Sequence, residues 1–344
     1  MTAAHALRPG RILAVACALL VPLATAAATP APSQSAPPPA RPQQEVTVDV
    51  LSVVKLRSRA VADARSSATL GAQREGTGVV IDANGLVLTI GYLILEAETV
   101  ELSTADGRSF PATVVGYDAA TGFGVVRALG SLPIKPIKIG ESSKVAARDQ
   151  VLIVGFDGVA PAYVVSRRRF VAFWEYLLDD AIYTAPATVN WQGAALIDRE
   201  QRLLGIGYLA VPDAIGPNSQ VPGNLFVPID RLKPVLADLV ARGRSSAPPR
   251  PWLGVYTQDV EGNVIVSRVA EGGPADQAPI RKGDVIVAIG GQTIKGQADF
   301  YSRLWASGEP GREIALDVLR EGKLQRVTVK STDRDRYYRG KPSY

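Results

Sequence analysis

Residues 46–56 are mostly apolar and read as the first element of the folded domain, and between residues 76 and 227 the apolar positions fall in short runs punctuated by Gly, Pro, Asp or Asn. Residues 79–81 and Leu86–Ile90 flank Asp82-Ala83-Asn84-Gly85. Asn-Gly supplies the positive-φ residues of a tight turn, so this stretch reads as a β-hairpin. Residues 100–103 and 110–115, joined through Asp106-Gly107, read as a second hairpin. Further short apolar runs lie at 124–127, 151–154, 163–165 and 203–206. Strands this short and this closely spaced predict a β-barrel or sandwich. The pattern then changes period: Ile229, Leu232, Val235, Leu236 and Leu239 recur at helical spacing within residues 228–242. An amphipathic helix therefore closes the domain, with Pro234 delaying its start.

Residues 245–251, Ser-Ser-Ala-Pro-Pro-Arg-Pro, form a linker and mark a domain boundary. A second apolar pattern occupies 252–332. Asn263–Val269 reads as a strand, followed by a Gly-rich turn and a short helix, and residues 282–286 enter another strand. Residues 297–306 read as a helix with Phe300 and Leu304 one turn apart, and 314–319 and 326–329 as a closing hairpin through Glu321-Gly322. Residues 333–344 read as a polar tail ending in Tyr344. The fold class is mostly β.

Composition adds constraints from the start of the chain. Arg8 and Arg11 precede an apolar core at 12–23, and Ala24-Thr25-Ala26-Ala27-Ala28 offers A-x-A cleavage sites. Residues 1–28 thus read as a cleavable signal peptide, implying a periplasmic or secreted protein. The apolar core is shorter than the ~20 residues of a spanning helix, so no membrane span is expected after cleavage. A lipoprotein reading through Cys17 fits poorly, because the apolar run continues past that cysteine. Residues 29–45 are a Pro-rich, extended linker. The sole histidine, cysteine and methionine are His5, Cys17 and Met1. A mature chain would carry none of them, which excludes disulfides, thiol catalysis, His/Cys metal centres and a histidine base, and no cofactor is expected. Loss of Arg8 and Arg11 lowers the formal charge from +5 to +3. No basic run is interleaved with aromatics, so nucleic acid is not an expected partner.

The ordered segments resemble the HtrA/DegP-like family, a trypsin-like double β-barrel followed by a PDZ domain, over residues 46–332. Residues 76–94, GTGVVIDANGLVLTIGYLI, are similar to that family's G-S-G-V-I-I-x-x-x-G-Y-I-L-T-N-N-H-V-V. Asp106-Gly107-Arg108-Ser109-Phe110-Pro111-Ala112 resembles D-G-R-x-F-P-A, and residues 118–127, DAATGFGVVR, resemble D-x-x-T-D-L-A-V-L-K. Trp252-Leu253-Gly254-Val255 and Gly283-Asp284-Val285-Ile286 match the PDZ opening and its G-D-V-I. No single motif is specific, but their number in one order is.

Carried over residue by residue, the family's catalytic triad is replaced at each position. Tyr92 stands for the histidine, Gly122 for the aspartate, and Gln192 for the serine, within Asn190-Trp191-Gln192-Gly193-Ala194-Ala195-Leu196. The approach to Gln192 is one residue short, which disturbs the expected oxyanion-hole donors. Acyl transfer needs a nucleophile, a base of matched pKa and an acceptor that orients the base. A phenol with a pKa near 10 is a poor base, glycine accepts nothing, and a glutamine amide is no useful nucleophile. A Ser143-Lys144 pair is the residual nucleophile–base combination, and reads more simply as a solvated loop. Tyr92 and Trp191 read as packing residues filling the vacated cleft, Asp118 and Asp198 as turn residues, and Arg167-Arg168-Arg169 as a solvated face.

The PDZ resemblance implies binding of peptide C-termini or unfolded proteins by strand addition. Leu253, Gly254 and Val255 would form the carboxylate loop and receiving strand, with Phe300 and Leu304 on the facing helix. The free carboxylate of Tyr344 is a candidate ligand for that groove. The expected function is a catalytically inactive, HtrA-like pseudoprotease, acting alone, as a homo-oligomer or co-assembled with an active homologue that it regulates. The alternatives are an active serine endopeptidase and a structural subunit of the cell envelope.

Overall fold

The computed structural model describes residues 51–338. The expected signal peptide and Pro-rich linker, and residues 339–344 with Tyr344, lie outside the described residues.

The first six strands are β1 (Val53–Ala60), β2 (Gln73–Val80), β3 (Leu86–Ile90), β4 (Ala97–Ser103), β5 (Ser109–Tyr117) and β6 (Phe123–Ala128). They close into an antiparallel barrel in the order β1-β2-β3-β6-β5-β4. The β2–β3 hairpin pairs Val79 with Leu88 and Val80 with Val87. Its turn is held by Asp82, whose Oδ1 accepts the N–H of Asn84 at 2.9 Å and of Leu86 at 2.7 Å. Inward-facing Leu56, Leu88, Leu102 and Phe123 are fully buried and fill the barrel.

A second set follows: β7 (Lys138–Ile139), β8 (Gln150–Gly155), β9 (Gly158–Ala172), β10 (Tyr176–Ala185), β11 (Ala195–Ile197), β12 (Arg202–Val211) and β13 (Gly223–Pro228). Its order is β11-β8-β9-β10-β13-β12-β7, and β11 also pairs with β12, closing a second barrel with β7 on its outside. Ile153, Ile182, Leu196 and Phe226 form its core. The run at 163–165 is part of the much longer β9, which with β10 makes an extended hairpin turning at residues 173–175. The closing helix runs over Leu236–Arg242, so it starts two residues after Pro234.

Arg167-Arg168-Arg169 lies on this hairpin, and the three guanidinium groups are engaged rather than simply solvated. Arg167 donates to the Ser142 and Val145 carbonyls, and Arg168 to those of Asp213 and Ala214. Arg169 pairs with Asp179 at 2.7 Å. Because β9 alternates faces, consecutive arginines reach different loops.

The third unit begins at β14 (Pro251–Trp252). It continues as β15 (Val255–Val260), β16 (Asn263–Val269), β17 (Val285–Ile289), β18 (Gln292–Thr293), β19 (Glu313–Arg320), β20 (Lys323–Lys330) and β21 (Thr332–Asp333). The main sheet runs β15-β16-β17-β19-β20 and packs a separate core around Leu253, Ile286, Phe300, Leu304 and Leu316. Asp284 of the G-D-V-I motif is buried and pairs with Arg320 at 2.7 Å, a structural role. From Asp333 the chain is not a polar tail throughout. β21 pairs with β14, a helix follows over Arg334–Tyr338, and the Tyr337 ring lies 4.6 Å from that of Trp252. Aromatic residues spaced for packing outweigh the local charge.

Candidate functional site

A cavity of about 640 Å³ opens between the two barrels and the edge of the third domain. Tyr92, Gly122 and Gln192 all line it. The three positions that the sequence aligned to a catalytic triad are therefore brought to one cleft by separate elements. Tyr92 sits in a single 3-10 turn, Gly91–Leu93, directly after β3. Arg74, buried on β2, holds that turn by donating to the Tyr92 carbonyl at 3.1 Å and to the Leu95 carbonyl. Gly122 precedes β6, and its N–H donates to the Asp118 carbonyl at 2.8 Å. Asp118 is a turn residue: its Oδ2 accepts the Thr121 N–H at 2.9 Å and the Thr121 hydroxyl at 2.6 Å. Gln192 is tied to β2 through its own carbonyl, which accepts the Thr77 N–H at 2.8 Å.

The chemistry of the cleft is dominated by aromatic rings. The Tyr92 hydroxyl donates to the Tyr208 carbonyl at 3.1 Å. Tyr208 is nearly buried and has Tyr176 at 5.1 Å, Tyr92 at 6.0 Å, Trp174 at 6.1 Å and Phe170 at 6.3 Å between ring centroids. These separations are those of favourable tilted and edge-to-face ring pairs. Burial pushes the Tyr92 phenol well above its ordinary value, and the neighbouring Tyr208 adds to the rise. Glu75 lines the same cavity, but the Lys55 ammonium at 2.7 Å, with Arg57 also bonded, holds its carboxyl below the usual range. Neither group is matched to take up a proton near neutral pH.

Gly122 has a φ of +86°, a region that a side chain enters at a cost of roughly 1–2 kcal/mol. In the segment before β11, the Asn190 N–H makes a long contact of 3.4 Å with the Thr188 hydroxyl. The Gly193 N–H donates to the Gly207 carbonyl at 3.0 Å and the Ala194 N–H to that of Trp191 at 3.1 Å. Ser143 and Lys144 lie apart from the cleft. Lys144 is exposed and paired with Glu141 at 2.9 Å, while the Ser143 N–H donates to Asp230 at 2.7 Å.

The loop of the third domain that the sequence assigned to carboxylate binding is already occupied. The N–H groups of Leu253, Gly254 and Val255 do converge, and they converge on the side chain of Glu175. Gly254 and Val255 donate to Oε1 at 2.7 and 2.9 Å, and Leu253 to Oε2 at 3.1 Å. Gly254 holds φ +77°, and a Cβ there would come within 3.0 Å of the Trp252 ring, so the loop's shape depends on glycine. Glu175 is the last residue of the β9–β10 turn and is nearly fully buried. Phe300 and Leu304 are fully buried in the helix Gln297–Ala306, within the domain core. The polar contacts of that helix to the turn come from Gln297 and Tyr301, which sequence reasoning did not single out. Glu175 was missed as well. Its only sequence signal is an acidic residue among apolar and aromatic neighbours in Ala172-Phe173-Trp174-Glu175-Tyr176.

With this geometry established, comparison with known proteins defines the class. Residues 76–206 match the trypsin-like peptidase domain, and residues 251–331 match the PDZ domain. A probable periplasmic serine endoprotease, DegP-like, of Rickettsia prowazekii is 26% identical over 278 residues, covering 75% of this chain and 53% of that protein. Serine protease PepD of Mycobacterium tuberculosis is 30% identical over 323 residues, covering 86% and 66%. Among solved structures, a variant of the HtrA-type protease AlgW with a tripeptide superposes with a TM-score of 0.51 at 21% identity, covering 83% of this chain and 94% of that one. That likeness concerns the fold. The chain spans about half the length of the DegP-like relative. It belongs to the HtrA/DegP-like family.

The buried carboxylate makes stability depend on pH. Burial raises Glu175 from 4.5 to about 7, against the opposing pull of the three N–H donors and of the Arg334 charge. Tyr301 is the other titratable neighbour, and it stays neutral over this range. Because the folded chain holds this proton more tightly than the unfolded chain, the contribution of Glu175 is full below about pH 4.5 and lost as pH rises through about 7. The stability difference between wild type and Glu175→Gln, followed by calorimetry from pH 4.5 to 8, is expected to drift against the wild type by at most about 3 kcal/mol. A pH-independent difference would show that Glu175 keeps an ordinary pKa in the folded protein.

Proposed function

We propose that this chain is a non-catalytic member of the HtrA/DegP-like family, a pseudoprotease whose working surface is its PDZ domain. One observation supports the reading: Tyr92, Gly122 and Gln192, which the sequence resemblance aligns with base, orienting acid and nucleophile, line a single cleft. Tyr92 is bonded to Tyr208 and packed into an aromatic cluster, which supports a structural use of that position. Neither histidine nor cysteine occurs among the described residues. Loss of one triad member already lowers the rate by about four to six orders of magnitude.

The ligands in this reading are free C-termini or unfolded segments of exported proteins, added as a strand along β15. The signal-like pattern of residues 1–28 and the periplasmic naming of the DegP-like relatives support action in the periplasm or outside the cell. Regulation of an active homologue by co-assembly fits the same architecture. The competing reading, an active endopeptidase, draws on the names of relatives such as PepD. It would require a nucleophile elsewhere, and the Ser143-Lys144 pair lies exposed in a 3-10 turn with its lysine bound to Glu141.

Purified full-length protein is expected to leave unfolded casein intact and to take up no fluorophosphonate probe, as read by mass spectrometry. Stoichiometric labelling of a serine would sink the proposal in favour of the endopeptidase.

Restoring Tyr92→His, Gly122→Asp and Gln192→Ser together is expected to leave casein cleavage at background. An aspartate at position 122 would occupy a positive-φ site. An imidazole in place of the Tyr92 phenol would give up the bond to the Tyr208 carbonyl and face a packed aromatic cluster. Each misfit of the oxyanion donors costs a further two to three orders of magnitude, roughly. Robust cleavage by the triple variant would mean that the cleft is still a working protease scaffold.

A further inference from the structure

Three kinds of side-chain and backbone contact place the β9–β10 turn in the PDZ groove in the manner of a bound peptide. The carboxylate of Glu175 accepts the N–H groups of Leu253, Gly254 and Val255. Two residues back, the Phe173 carbonyl accepts the Thr257 N–H of β15 at 2.9 Å, a strand-addition bond. One residue further back, the Ala172 carbonyl accepts the Tyr301 hydroxyl at 2.9 Å and the Gln297 amide at 3.2 Å from the facing helix. The Glu175 N–H in turn donates to the Tyr301 oxygen at 3.2 Å. A peptide C-terminus captured by such a domain uses the same three kinds of contact: carboxylate to loop, backbone to strand, and flank to helix.

Resting on the reading of the PDZ domain as a peptide binder, we propose that the β9–β10 turn is its internal ligand. The Glu175 side chain substitutes for a terminal carboxylate, and an external C-terminus binds by displacing it. The ligand class is thereby narrowed to free carboxylates, because a group that cannot take over three N–H donors cannot compete. The turn itself is shaped for this role. Glu175 adopts φ +55°, where glycine would be the low-cost residue, and glycine has no carboxylate to offer. The contact is intramolecular, so the turn acts at an effective concentration no free peptide matches at equal intrinsic affinity. Apparent affinity for an external peptide is lowered by the fraction of molecules with the groove open.

The test uses the full chain and labelled decapeptides ending in Val, Leu or Phe, each as free acid and as amide, read by fluorescence anisotropy. Expected is weak binding of the acids to wild type, at least tenfold tighter binding to Glu175→Ala, intermediate binding to Glu175→Gln, and no binding of the amides. Glu175→Gln keeps the shape of the turn, so it carries the test if the alanine variant fails to unfold cooperatively. Equal affinity of wild type and the folded variants for the acids would overturn the internal ligand and leave peptide binding standing. No binding of any acid peptide to any folded variant would overturn the peptide-binding reading and the internal ligand together. A second readout needs only wild-type binding. Saturating acid peptide should shift the emission of Trp174, beside Glu175, and the shift should vanish in Trp174→Phe. Saturable binding to wild type without that shift would overturn displacement.

Discussion

A buried carboxylate sits at the centre of the contacts by which the barrels and the PDZ domain meet. Glu175 leaves water almost completely, which for an isolated charge would cost several kcal/mol. Three backbone N–H groups on consecutive residues offset that cost, since each bond is charge-assisted. The two effects oppose each other in the pKa, and burial wins, with the group raised to about 7. Removing the carboxylate would orphan three donors in the Leu253-Gly254-Val255 loop unless water or another anion reached them. The loop, the turn and the Thr257–Tyr301–Gln297 hydrogen bonds are therefore one polar network, satisfied as a whole.

The cleft follows a different logic. In an acyl-transfer site, polar groups must be held within reach of a substrate atom and kept from bonding one another. Here Tyr92, Trp174 and Tyr208 line the cleft, and Phe170 and Tyr176 pack on Tyr208 behind it. Their hydroxyls are directed to backbone, Tyr92 to the Tyr208 carbonyl and Tyr176 to the Thr121 carbonyl at 2.8 Å. Such ring packing ties the two barrels together at their junction, while Arg74, Glu75, Gln192 and Arg268 also face the cavity.

What the sequence disclosed was what short range governs. The Asp82–Gly85 turn, the β4–β5 hairpin and the helix start after Pro234 follow from local backbone preference, and each stands in the structure. The two PDZ segments and the cleft positions came from resemblance, and Tyr92, Gly122 and Gln192 do line one cavity. Glu175 was illegible for a physical reason: its partners lie 78 to 80 residues away and are backbone N–H groups, which no side-chain pattern records. The helix was legible as a helix but not in its phase. Phe300 and Leu304 share the buried core, whereas Gln297 and Tyr301, four residues apart and so on one face, carry the polar contacts to the turn. The arginine run misled because residue type suggested solvent while strand alternation delivered the side chains to loop carbonyls.

The β9–β10 hairpin is where the two halves of the molecule become one problem. Phe170, Trp174 and Tyr176 pack towards Tyr208 in the cleft, while Ala172, Phe173 and Glu175 bond to the PDZ domain. The division follows the groups used: ring side chains reach Tyr208, whereas the Ala172 and Phe173 carbonyls and the Glu175 carboxylate reach the PDZ domain. A change on one side of the turn cannot be absorbed on that side alone, since neighbouring residues are anchored on the other. Local opening of the turn would break the carboxylate contacts and loosen ring packing around Tyr208 in one event. The energy of that opening is thus set jointly by an apolar cluster and a buried, hydrogen-bonded carboxyl group, and only the second varies with pH near neutrality.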